Sequence, residues 1–204
     1  MRSNIKIIYL AAFLLSVPIA LTSYINSSLI SSYINPVYLG FIYIFGSILT
    51  ILSMLQMPRL LSKVGNRKVT IIFCIIAMLS LSTLAVSRTG FVVVTAFIIS
   101  FMMFHLLTAN FDIFIENFSS NKHTGRIRGL YLSIVSLAWV ISQVISGSII
   151  NKSSFTGIYS LSALFTFLVC LIFFSFLKDF KDPEYKKSST WKTFKNFIRN
   201  KHLS

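Results

Sequence analysis

Pro58-Arg59-Leu60-Leu61-Ser62-Lys63-Val64-Gly65-Asn66-Arg67-Lys68-Val69 is a short basic hinge between two long apolar runs, about 37–57 and 69–87. Each run has about the twenty residues a helix needs to cross a bilayer. Four cations in so short a segment would each cost about 2.5–3.5 kcal/mol at the centre of a membrane. Beside an anionic cytoplasmic leaflet they are favourable. The stretch therefore predicts a membrane-spanning fold and marks its own side as cytoplasmic.

Working outward, six apolar runs are expected as spans: about 5–24, 37–57, 69–87, 90–113, 129–150 and 155–177. With the N-terminus inside, seventeen of the nineteen Lys and Arg fall on the inner side, and Arg88 and Lys152 on the outer. That bias predicts an inner-membrane protein with both termini cytoplasmic. In lipid each backbone must satisfy itself, so each run is expected as a helix; the alternating ten-residue segments of a membrane barrel are missing from the sequence. The first run, after Met1-Arg2-Ser3-Asn4-Ile5-Lys6, is longer than a signal-peptide core and is read as a retained first span.

The composition agrees. The chain has 204 residues, 55% of them hydrophobic, and nineteen basic against five acidic residues. The net charge of +14 lies in the gaps between apolar runs and forms no continuous basic face, so nucleic acid is not expected as a partner. Cys74 and Cys170 lie inside predicted spans and read as small apolar residues. No cofactor, metal site or catalytic constellation is legible, so an enzyme is not expected.

The basic stretch resembles a motif of the major facilitator superfamily of secondary transporters, G-x-L-x-D-R-x-G-R-R/K, found between the second and third spans. Leu60, Lys63, Gly65, Arg67 and Lys68 fall on it in register, while Pro58, Ser62 and Asn66 depart from it. Gly125-Arg126-Ile127-Arg128-Gly129 similarly resembles the basic entry to the family's fifth helix. The resemblance covers the whole chain as one six-helix half. It implies an all-α polytopic membrane protein, residues 1–178 forming six transmembrane helices as two three-helix repeats. A cytoplasmic basic segment, residues 179–204, follows. The implied mechanism is alternating access to a small-molecule substrate at mid-membrane, with the lipid bilayer and a second six-helix half as partners. The family's usual twelve spans leave three readings of this chain open: a fragment, a separately encoded half, or a homodimer. A non-transporting six-span scaffold or assembly factor is the alternative from another class.

On the fourth run His105, Thr108, Asp112 and Glu116 share one helical face. The resemblance makes Asp112 a partner for Arg67 or Lys68 at an inner gate with Lys63 and Gly65. The plainer reading leaves Asp112 and Glu116 solvated in the headgroup zone. Polarity alone names Ser16, Thr22, His105, Thr108 and Asn110 as path residues; His105 is open between substrate contact and helix packing. Gly46, Thr50 and Ser53 on the second run, and Gly129, Ser133, Ser136, Gln143 and Gly147 on the fifth, are small or polar at helical spacing. They serve packing within the bundle or contact with a second half. The sixth run, with Phe165, Phe167, Phe173, Phe174 and Phe176, reads as lipid-facing. After Pro183, Trp191 to Leu203 reads as an interfacial amphipathic helix or a solvated basic tail.

Overall fold

The computed structural model describes residues 2–118 and 124–177, and the regular structure among them is entirely helical. In chain order the helices are α1 (Arg2–Ser23), α2 (Asn26–Ser31), α3 (Leu39–Val64), α4 (Asn66–Val86), α5 (Gly90–Phe118) and α6 (Thr124–Phe176). Among the described residues five helical stretches are long and apolar enough to cross a membrane: α1 with α2, then α3, α4, α5 and α6. The expected tail helix, Trp191 to Leu203, lies outside the described residues.

The basic hinge is not a loop. α3 runs through Pro58 to Val64 and α4 starts at Asn66, so Gly65 alone joins them. Pro58 removes one N–H from the helical ladder, and the helix tolerates that near its end. Gly65 sits at φ 88°, ψ 148°, backbone that is essentially reserved for glycine. The polar segment before α3 is also partly ordered. Leu29 and Ile30 of α2 are buried, and Asn35 Oδ1 accepts from the Val37 N–H to start a 3-10 turn at Pro36–Tyr38.

At about 1.5 Å per residue a straight α6 would reach about 80 Å, far beyond a hydrocarbon core of about 30 Å. It breaks at Ser154, where φ is 55° and ψ −161°. The expected turn at Asn151–Ser154 is thus reduced to one residue. The contacts give the directions of the two arms. Tyr9 OH donates to the Ile127 carbonyl and Gln143 Nε2 to that of Ala20, so the first arm runs with α1. Thr156 Oγ1 donates to the Ala85 carbonyl and Arg67 to that of Phe173, so the second arm runs back along α4. A Cβ at Gly157 would collide with the Ser153 side chain, so the tight return depends on glycine there. Ser154→Gly is expected to stabilise the fold by about 1 kcal/mol, because serine pays for a backbone that glycine adopts freely. An unchanged or lower thermal midpoint of the variant would contradict the strain.

The core lies where α1, α4, α5 and α6 meet. Ala11, Ala12 and Ala20 on α1 are fully or almost fully buried and permit close approach of the neighbouring helices. Near the Gly65 end, Phe173 packs its ring against Phe111 and Phe114 at centroid distances of 5.3 and 5.1 Å. This corrects the reading of the sixth run as purely lipid-facing: Phe174 and Phe176 are exposed, while Phe173 is fully buried. A phenylalanine-rich helix in lipid has no compositional signal that separates its core face from its lipid face.

Candidate functional site

A cleft of about 140 Å³ lies between the C-terminal end of α1, α2, α3 and α5, lined by Ile19, Thr22, Ser23, Asn26, Tyr43, Ser100, Phe101, Phe104 and His105. One wall is an aromatic ladder. Tyr43 meets Phe97 edge-on at 5.0 Å and Phe101 at 5.8 Å, and Phe101 lies 4.4 Å from the His105 ring.

Local bonds decide which polar atoms remain available. Thr22 Oγ1 donates to the Pro18 carbonyl at 2.8 Å and Ser23 Oγ to that of Ile19 at 2.6 Å. Ser100 Oγ donates to the Phe97 carbonyl at 2.9 Å. These hydroxyls keep acceptor capacity but no proton to give. Tyr159 OH donates to Asn26 Oδ1 at 2.7 Å, which orients the amide and leaves its N–H groups as donors. Tyr43 OH and Ser27 Oγ share a hydrogen bond of 3.1 Å. His105 Nδ1 lies 2.8 Å from the Phe101 carbonyl. A carbonyl only accepts, so Nδ1 carries a proton and the other ring nitrogen, Nε2, is the one not engaged by that carbonyl. Among the described residues no Asp, Glu, Lys or Arg lines the cleft. The arrangement suits a small uncharged molecule with several hydroxyls and an apolar face.

Of the residues named from polarity, Thr22 and His105 line this cleft and Thr108 continues the exposed face of α5. Ser16 is buried with its hydroxyl on the Ala12 carbonyl, and Asn110 is buried on the opposite side of α5. Asn26, Tyr43 and Ser100 were missed. Asn26 sits in a segment that reads as a loop, and Tyr43 inside an apolar run.

Asn110 belongs to a second polar group, between α4 and α5. Its Nδ2 donates to Thr70 Oγ1 at 3.2 Å, Thr70 Oγ1 donates to the Asn66 carbonyl at 2.9 Å, and Asn66 Nδ2 reaches the Asn110 carbonyl at 3.5 Å. All three residues are 0% exposed.

The charged residues at the Gly65 end pair differently from expectation. Arg67 Nε donates to the Phe173 carbonyl at 2.9 Å and Nη2 to that of Phe174 at 2.7 Å, capping the last turn of α6. Unpaired carbonyls and the negative end of a helix dipole favour a cation there. Asp112 instead faces the Tyr131 hydroxyl and the charge of Arg128, both at the start of α6. Lys63 and Lys68 are exposed.

Gly46 of α3 faces Phe101, whose Cδ1 would lie 3.4 Å from an added Cβ; Thr50 bonds within α3 to the Gly46 carbonyl, and Ser53 Oγ donates to Met102 Sδ. Gly46 and Ser53 thus meet α5, while the Thr50 hydroxyl is satisfied within α3. Gln143 faces α1, whereas Gly129, Ser136 and Gly147 are exposed, with open space around both glycines.

A family model described as Major Facilitator Superfamily matches residues 8–203. The chain is similar to Sugar efflux transporter B of Salmonella typhimurium, 32% identical over 141 residues, which is 67% of this chain and 35% of the relative. It thus spans about a third of that relative's length. No solved structure matches.

Proposed function

The chain belongs to the major facilitator superfamily, and from that premise we propose that it carries a small uncharged polyhydroxylated solute, a sugar, out of the cell as one half of a transporter. The two arms of α6 act as the fifth and sixth spans, giving two three-helix repeats. The Gly65 end is cytoplasmic, in keeping with the distribution of its cations. A second six-helix half covers the open face of α6 that carries Gly129, Ser136 and Gly147. The halves rock about the cleft, and Lys63, Arg67, Lys68 and Asp112 close the cytoplasmic end around the Gly65 turn.

The observation that carries this reading is the uncharged cleft with its aromatic wall. A sugar ring has hydroxyls for the Asn26 amide and for His105 Nε2, and a C–H face for Tyr43 and Phe101. The printed name of the relative, a sugar efflux transporter, supports the substrate class and the direction.

Efflux of a labelled sugar from cells expressing the full-length protein tests it. His105→Ala and Tyr43→Ala each remove one cleft contact of about 1–1.5 kcal/mol, and each is expected to lower efflux about tenfold at low substrate concentration. Both variants are expected to reach the membrane in wild-type amount. Wild-type rates in both would reject this cleft as the sugar site, and no flux from the wild type with any sugar would reject the substrate class.

A further inference from the structure

A separate groove of about 410 Å³ opens at the Gly65 end between α3, α4 and α5, with Arg59 and Lys63 at its rim. Arg59 and Lys63 are one turn apart on the same face of α3 and both are exposed. Among the described residues neither Arg59 nor Lys63 is seen in an ion pair, and Asp112 faces Tyr131 and Arg128 instead. Below the two cations the floor is apolar, through Met57, Phe73, Met103 and Leu106. It continues onto the exposed apolar face of α3 at Ile51, Leu52 and Leu55.

Two exposed cations with no ion pair among the described residues, above a hydrocarbon groove at the end of a span, complement one kind of molecule, an amphiphile with an anionic head and an acyl tail. A neutral solute would leave both charges unanswered, and a free anion would leave the groove empty. We propose that this groove holds one anionic phospholipid of the surrounding leaflet, its phosphate between Arg59 and Lys63 and an acyl chain along Met57, Phe73 and Met103. The Arg59 guanidinium offers paired donors to phosphate oxygens and Lys63 a compact charge. Basic pockets between spans recognise lipid head groups in this way. The groove does not overlap the sugar cleft and shares only Lys63 with the proposed gate; because lipid retention is read as binding and not as efflux, the failure of either proposal leaves the other standing.

Native mass spectrometry of the delipidated full-length protein, titrated with phosphatidylglycerol or phosphatidylcholine, tests it. The expected result is one phosphatidylglycerol retained at least tenfold more tightly than phosphatidylcholine. Arg59→Gln with Lys63→Gln is expected to abolish that preference. Both residues are exposed, so the fold is expected to survive, and an unchanged thermal midpoint in phosphatidylcholine checks this. Lys68→Gln, an exposed cation outside the groove, is expected to retain the preference. An unchanged preference in the double variant overturns the proposal, and so does an equal loss in Lys68→Gln, which would mean diffuse surface charge. Displacement of the lipid by an equal concentration of glycerol phosphate would also overturn it, since the anion alone would then account for binding.

Discussion

Asn110→Asp is expected to be the most damaging single-atom change in the molecule, lowering stability by about 3–5 kcal/mol at neutral pH. The side chain is 0% exposed, and its Oδ1 has no hydrogen-bond partner among the described residues. Its Nδ2 donates to Thr70 Oγ1, whose own proton is already committed to the Asn66 carbonyl. Replacing that NH2 by oxygen sets an acceptor against an acceptor and places a charge between two helices. Arg67, next to Asn66 in the chain, has Nε and Nη2 engaged at the Phe173 and Phe174 carbonyls. Asn110→Leu separates charge from shape. It loses one hydrogen bond and also removes an unsatisfied acceptor, so it is expected to cost only about 1 kcal/mol. Thermal unfolding of the purified variants reads both. If the aspartate variant melts with the leucine variant, the α4–α5 contact is wetter than the structure shows.

Gly65→Val is the second large effect expected, a loss of about 2–3 kcal/mol. At φ 88° and ψ 148° a Cβ is strained whatever space surrounds it, and a β-branched side chain restricts the backbone further. The turn has no spare residue to absorb a shift. The Gly65 N–H donates to the Leu61 carbonyl at 2.9 Å, and its own carbonyl accepts from the Val69 N–H at 3.1 Å. Both of its backbone groups therefore serve the helices it joins. Gly40 of α3 is the contrast, since it is helical with nothing within 4 Å of an added Cβ. Gly40→Ala is expected to be neutral or stabilising by up to about 1 kcal/mol. Equal thermal midpoints for Gly65→Val and Gly40→Ala would show that the turn relaxes without cost.

The sequence by itself determined the all-helical, apolar class of the molecule and that His105, Thr108, Asp112 and Glu116 share one helical face. These features are local. A bilayer forces an apolar run to satisfy its own backbone as a helix, and helical periodicity then decides which residues share a face. Only the tertiary structure decided what each face meets. His105 and Asn110 read alike as polar residues of one run, yet His105 lines a cleft and Asn110 is sealed against α4. Phe173 and Phe174 are neighbours in an aromatic run, yet the first is core and the second exposed. Arg67 finds its acceptors more than a hundred residues away, on α6. Such choices depend on how each helix is rotated against the next. In water, hydrophobicity would report that rotation by turning apolar residues inward. In lipid the tails are as apolar as the core, so the signal vanishes and packing and hydrogen bonds make the selection.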